Sequence, residues 1–238
     1  MYRIDFHSHI LPGMDDGAGS AEISMKMLKT EKKDKIDKVV LTSHFYRHKE
    51  NISSFLRRRE KAFDALTQAA EEDPCGISFA LGAEVYFYPS LATDPDLTKL
   101  CIEGTDYILL ELPFEHFYDN FFIDFAAFMN RCPCRVILAH IERYLGFGNT
   151  VKELSKLTSF GDLTFQMNCA SVVDSGFFKQ KKMLDLISSG FIQLLGTDAH
   201  NTDTRPPLFG KAEAVITKKC GEDAFRRICR NGEFIFGD

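Results

Sequence analysis

Apolar runs of strand length recur along the chain at Tyr2–Phe6, Lys38–Thr42, Ile77–Val85, Tyr107–Leu112, Val136–Ala139, Leu163–Asn168 and Phe191–Thr197. They are mostly continuous rather than alternating, the pattern of strands covered on both faces in a parallel sheet. Between them, apolar residues fall at helical spacing. Ser20 is placed to cap a first helix that puts Ile23 and Met27 on one face. Ile52, Phe55, Leu56, Phe63, Leu66 and Ala70 mark a second, with Arg57, Arg58, Arg59 and Glu60 around them as a solvated face. Further helices are predicted at Asn120–Asn130, Thr150–Thr158, Lys181–Ser189, Gly210–Lys219 and Glu222–Arg230. Strand and helix thus alternate about seven times, without a linker or an internal repeat, as parallel βα units of one domain covering residues 1–238. So many units in so short a chain predict an α/β fold with a closed or nearly closed barrel. A doubly wound open sheet is the alternative. In either, sites assemble at the C-terminal ends of the strands.

Those strand ends carry the chain's chemistry. The first run ends in His7 and His9, the second in His44, and the third carries Glu84. The fourth carries Glu111, the fifth ends in His140 with Arg143 just beyond, and the sixth ends in Asn168. The seventh ends in Asp198 and His200, with Arg205 following. Residues two apart on a strand share a face, so His7 and His9 present both imidazoles in one direction. Five of the seven histidines and three acids therefore meet where parallel strands would converge. Buried alone, Glu84 and Glu111 would be costly. Metal cations account for all eight groups, because they require deprotonated carboxylates and neutral imidazoles.

Eight protein ligands exceed the needs of one ion, so more than one metal is expected, with carboxylates such as Glu84 and Glu111 able to bridge. Nitrogen and oxygen donors without thiolate suit manganese, iron or zinc better than magnesium or calcium. Clustered metals favour hydrolytic displacement and supply hydroxide near neutral pH. Arg143 and Arg205 beside them match a phosphate through their planar donor forks. Phosphoester hydrolysis is the reaction this combination points to. The remaining histidines, His48 and His116, fall in loops as surface or rim residues.

Composition narrows the partners. The chain has 238 residues, 45% hydrophobic and 26% charged, with a formal net charge of -5, which gives no basic face for nucleic acid. No apolar run approaches the roughly 18 residues of a membrane span, and no leader pattern opens the chain. No membrane insertion and a cytoplasmic location are expected. The seven cysteines are odd in number, and Cys132-Pro133-Cys134 is the only tight pair, read as two buried thiols at a helix-to-strand turn. Reduced thiols suit the cytosol.

The ordered set DFHSHILPGMDDGA, TSHF, GAEVY, LLELP, LAHIERY and GTDAHN followed by RPP spans residues 5 to 207. It resembles the polymerase and histidinol phosphatase (PHP) superfamily, and within it the bacterial manganese-dependent protein-tyrosine phosphatases of capsular and exopolysaccharide systems, the CpsB/YwqE type. The resemblance implies a distorted (β/α)7 TIM-like barrel with three Mn2+ ions, iron or zinc remaining possible. It implies that His7, His9, His44, Glu84, Glu111, His140, Asp198 and His200 are metal ligands and that Arg143 and Arg205 bind phosphate. Asp15 and Asp16 match the family's acidic loop, with a leaving-group or ligand-orienting role for Asp16. The implied partner is a bacterial tyrosine kinase whose phosphotyrosine tail regulates polysaccharide synthesis. Two departures bear on substrate preference: Thr42-Ser43-His44-Phe45 stands where Thr-Pro-His-His is common, and Cys169-Ala170-Ser171-Val172-Val173 replaces a Gly-Ser-rich loop. A small-molecule phosphatase of the histidinol-phosphate type and a non-catalytic metal-stabilised binding module are the alternatives.

Overall fold

The apolar runs become parallel strands in the computed structural model, which describes residues 1–237. They are β1 (Ile4–Ser8), β2 (Lys38–Leu41), β3 (His44–Phe45), β4 (Ser78–Leu81), β5 (Glu84–Tyr86), β6 (Tyr107–Glu111), β7 (Arg135–Leu138), β8 (Leu163–Asn168) and β9 (Leu194–Gly196). One ladder runs β1-β2-β4 and the other β3-β5-β6-β7-β8-β9, every pairing parallel. Together they form a curled parallel sheet. Its last strand comes back towards its first: Asp198 N donates to His7 O at 2.7 Å, and His9 N donates to Ala199 O at 2.9 Å.

The run predicted as Lys38–Thr42 ends at Leu41 and the sheet resumes beyond Thr42-Ser43 as β3, while the run predicted as Ile77–Val85 is broken at Gly82-Ala83 into β4 and β5. The cause is local. Thr42 turns its hydroxyl to Ser8, accepting from Ser8 N at 3.0 Å, which takes it out of the regular ladder. Glu84 N then bonds both Thr42 O and Ser43 O at 3.1 Å, so the chain re-enters the sheet at His44 and Glu84. The break decides which ladder those two side chains join. The last strand is also shorter than the predicted Phe191–Thr197, because Gln193 uses its side chain to accept from Phe165 N at 2.7 Å.

The helices lie where the apolar spacing puts them, with shifted ends. They are α1 (Ala21–Lys33), α2 (Ile52–Glu72), α3 (Asp119–Met129), α4 (Val151–Lys156), α5 (Cys169–Val173), α6 (Phe177–Ser188), α7 (Phe209–Cys220) and α8 (Glu222–Phe236). Ser20 does cap α1, through Ile23 N. The short α5 was not predicted, and α6 begins four residues earlier than its apolar pattern suggested. Ile4, Val40, Ala80, Leu109, Ile137 and Leu194, from six different strands, pack into one buried group with Ile235 of α8. Side chains from so many strands can meet only on the concave side of the curl. Their neighbours Ile108, Leu110, Val136 and Leu138 join the larger core under the helices. Burial on both faces is the reason the runs are continuous rather than alternating. Among the described residues, no helix is long and apolar enough to cross a membrane.

Candidate metal centre

All eight residues singled out at the strand ends converge. Glu84, at the start of β5, is the hub. Its Oε2 lies 3.2 Å from His7 Nε2, 3.3 Å from His9 Nε2 and 2.8 Å from His44 Nδ1. Its Oε1 lies 2.8 Å from His140 Nε2, which is 3.4 Å from Glu111 Oε1. Asp198 Oδ1 stands 3.4 Å from His9 Nε2. Asp16 Oδ1 lies 3.6 Å from His44 Nε2 and 3.5 Å from His200 Nε2. Three overlapping donor groups result, each with its atoms within 4.8 Å of one another: His9, Asp16, His44 and His200; His7, His9 and Asp198; His44, Glu84 and Glu111.

The surroundings fix which nitrogen of each ring faces inward. His7 Nδ1 is 3.2 Å from Gln166 Oε1, and His9 Nδ1 is 2.9 Å from Asp15 Oδ2. Both oxygens can only accept, so each Nδ1 carries the proton and each Nε2 turns a lone pair to the centre. Those two Nε2 atoms are 3.2 Å apart. Two lone pairs so close require a cation or a proton between them. His200 Nε2 is likewise buried without a hydrogen-bond partner among the described residues, while its Nδ1 is held by Asp198 O at 2.9 Å. The donor set fits divalent metal ions on these grounds.

Electrostatics agree. Burial opposes ionisation of Glu84, yet His7 with the bonds from His140 and His44 holds its carboxyl well below the usual range. Asp198 is held low against burial by His7 and His9. Burial disfavours a charged His140, but Glu111 and Glu84 outweigh it and push its pKa up to about 10. His9 is raised well above the ordinary imidazole value by Asp15, Asp198 and Glu84, again against burial. His200 goes the other way: burial and the neighbouring His9 bring it down to about 4. The centre is thus a set of fixed anions that attracts positive charge wherever an imidazole offers a place for it.

The backbone also bends to deliver these groups. His140 has φ 32° and Asp198 φ 50°, two of the three non-glycine residues with positive φ among the described ones. Left-handed backbone disfavours most side chains and clusters at functional positions. The β1–β2 register shifts between Asp5 and Ser8, a bulge-like irregularity that frames His7.

Arg143 and Arg205 stand at the mouth, about two-fifths exposed. Both reach the same atom, Asp198 Oδ2, at 3.7 Å and 2.8 Å. Arg143 also rests 4.5 Å over the Phe114 ring, which orients its guanidinium. His48 and His116 lie outside the cluster, in keeping with loop positions.

The sequence reading missed Gln166. This buried side chain accepts from His140 N at 2.7 Å as well as facing His7 Nδ1, and donates to Asn168 Oδ1 at 3.0 Å. Asn168 in turn donates to Asp198 Oδ2 at 2.7 Å. A buried amide at the centre of the run LTFQMN, two residues before Asn168, was the available signal. No thiol joins the cluster. Burial raises the pKa of Cys169, the cysteine that follows Asn168, and all seven cysteines are free.

Fold and cluster define the class: an α/β protein gathering histidines and carboxylates at the C-terminal ends of parallel strands, with arginines at the mouth. The chain belongs to the CpsB/CapC family of capsular polysaccharide synthesis, whose model matches residues 3–236. It is 27% identical over 225 residues to the tyrosine-protein phosphatase CpsB of Streptococcus pneumoniae, covering 92% of this chain and 91% of that protein. The tyrosine-protein phosphatase YwqE of Bacillus subtilis is 28% identical over 246 residues, covering 98% and 91%. Among solved structures, those of YwqE and CpsB, described as unique metal-dependent tyrosine phosphatases, include a chain matching at a TM-score of 0.83 and 26% identity. That match covers 98% of this chain and 94% of the other.

Proposed function

We propose that this protein is a metal-dependent protein-tyrosine phosphatase. The observation that carries the reading is the convergence of eight imidazoles and carboxylates with two arginines that both reach Asp198. Three overlapping donor groups support three ions, and the imidazole-rich oxygen and nitrogen set supports Mn2+, with iron or zinc compatible. In this reading His7, His9, His44, Glu84, Glu111, His140, Asp198 and His200 hold the metals. The curl of the sheet, with β9 returning to β1, supports a distorted (β/α)7 barrel of the PHP type in a single domain.

When bound, the ions supply electrophilic polarisation of the phosphoryl group and a nucleophile near neutral pH. Arg143 and Arg205 grip the phosphoryl oxygens and stabilise the charge that spreads over them during transfer. Gln166 and Asp15 hold His7 and His9 in the tautomer that faces the metals. In this reading Asp16, two-thirds exposed beside His44 and His200, serves the leaving-group side of the site. A phenolate leaving group has a pKa of about 10, so it needs less help from an acid than an alkoxide does. The thiol nearest the centre in sequence, Cys169, is buried and held protonated by that burial, which makes a phosphocysteine route through it unattractive.

Membership of a capsule-synthesis family supports a cytoplasmic role on the phosphotyrosine tail of a bacterial tyrosine kinase. The test is hydrolysis of phosphotyrosine peptide, phosphoserine peptide and histidinol phosphate by chelated protein reloaded with single metals. Metal-dependent preference for phosphotyrosine is expected. Preference for histidinol phosphate would move the protein to the small-molecule class, and inactivity with full metal would leave a binding module.

A further inference from the structure

The segment Tyr46–Glu50, directly after β3, divides the mouth of the metal centre from a neighbouring cavity. The Tyr46 ring centroid lies 5.1 Å from that of His44 and 5.7 Å from that of Tyr86. On the His44 side is a recess of about 440 Å³ lined by Asp15, Asp16, His44, Lys49, Glu50 and Arg58, with Tyr46 at its edge. On the Tyr86 side is a cavity of about 600 Å³ lined by Arg47, His48, Tyr86, Tyr88, Thr93 and Asp94. The cavity begins one pleat beyond Glu84, because Tyr86 follows it by two residues on β5 and pairs in register with Glu111. Its volume falls within the roughly 300–1,000 Å³ of ligand sites. None of its side chains takes part in the chemistry proposed above.

The charge and hydrogen-bond state of this ridge point to its occupant. Three cations, Arg47, Lys49 and Arg58, stand along one edge of the candidate active site among the carboxylates Asp15, Asp16, Glu50 and Asp94. Arg58 is engaged, its Nε donating to Glu50 at 3.2 Å. Arg47, about half exposed, has its Nε 3.4 Å from Asp94 and its guanidinium beside the Tyr88 hydroxyl, which leaves part of its planar fork open to another carboxylate. Lys49 Nζ lies 4.1 Å over the Tyr46 ring, a contact that leaves its charge to be matched by an anion. In the same cavity the Tyr88 hydroxyl is buried beside the Arg47 guanidinium, and its proton has no acceptor among the described residues.

We infer that this ridge is a polypeptide subsite that reads acidic residues flanking the phosphotyrosine. With the phosphoryl group at the metals, the backbone of an extended substrate crosses Tyr46. A carboxylate on one flank meets the Arg47 fork and the Tyr88 hydroxyl, and a carboxylate on the other meets Lys49. The inference rests on the phosphatase reading and specifies which polypeptides that site takes.

The experiment compares two phosphotyrosine peptides, identical except for Asp and Glu or Lys on both flanks, with manganese-loaded full-length protein. The acidic peptide should be favoured about ten-fold in kcat/KM, the scale of a few solvent-exposed ion pairs. That advantage should shrink at high salt. The double variant Arg47→Glu, Lys49→Glu should invert the preference. Metal content of the same preparations, and anisotropy binding of the matching non-hydrolysable phosphonate peptides, separate recognition from turnover and from a damaged centre. If wild type hydrolyses both peptides within a factor of two, or the double variant keeps the wild-type preference, the subsite is refuted and the phosphatase reading stands. If metal-loaded protein hydrolyses neither peptide, the phosphatase reading falls and takes this inference with it.

Discussion

The inner and outer walls of the metal centre are built differently. The inner wall, His7, Glu84, Glu111, His140 and Asp198, is almost wholly buried and braced by Gln166 and Asn168. The outer wall, His44, Asp16, Arg143 and Arg205, is partly exposed and held mainly by ion pairs to the inner one. Buried, braced groups are preorganised and change little when charge arrives; exposed ones adapt to what binds. In the proposed reading the inner wall supplies most of the metal ligands, and the outer wall, His44 apart, handles the phosphoryl group.

The largest expected effect lies in the hub. Glu84→Gln keeps the shape but removes the charge that four imidazoles surround, so metal analysis should find fewer ions and kinetics little turnover. Glu111→Gln should behave alike. Full occupancy with near-normal rates in either would break the division at its centre.

Arg143→Ala should do the reverse, leaving folding and metal content intact while lowering kcat by about 10²–10³. Arg143→Lys should recover only part of that loss, because a point charge does not reproduce the fork. A fully metallated Arg143→Ala enzyme within a few-fold of wild type would return this arginine to an ordinary surface role.

Gln166 offers a finer cut. Gln166→Leu removes the acceptor shared by His7 and His140 and should weaken metal affinity by about 10–100-fold. Gln166→Glu, which keeps the acceptor, should restore much of it. Equal losses in both variants, seen by metal titration, would indicate packing rather than orientation.

The pH dependence has a definite sign. His140 is raised to about 10, so in metal-free protein it contributes stability fully present below its unfolded value near 6.5 and lost as pH rises towards 10. Metals need the neutral ring, so their affinity moves oppositely and rises across that window. The gap in melting temperature between metal-loaded and chelated protein should widen from pH 6.5 upwards. A gap that narrows would show that the inner wall does not exchange protons for metal. The smallest effect is expected of Cys169→Ser, which should leave metal content and turnover near wild type.

Legibility from sequence followed the same division. Strand ends and polar interruptions of apolar runs located all eight converging groups, because burying such side chains without purpose is expensive. Helices marked by apolar spacing were legible too, apart from their ends. The resumption of the sheet as β3 after Thr42-Ser43 was not, since it depends on a hydroxyl choosing a neighbouring strand over its own ladder, and neither was the break at Gly82-Ala83. Gln166 was passed over because an amide inside a strand carries no charge to advertise a partner. The cavity behind Tyr46 was invisible for another reason: its walls come from segments some forty residues apart, joined only by the curl.

The left-handed backbone at His140 and Asp198 has a consequence for how this molecule would drift under selection. Each residue gives up about 1–3 kcal/mol of folding free energy to hold its side chain at the centre. Glycine there would relieve the conformation and remove the donor in the same step. A library selected only for heat resistance should therefore gather Gly or Asn at these two positions, whereas one selected for turnover should keep His and Asp and gain its stability elsewhere.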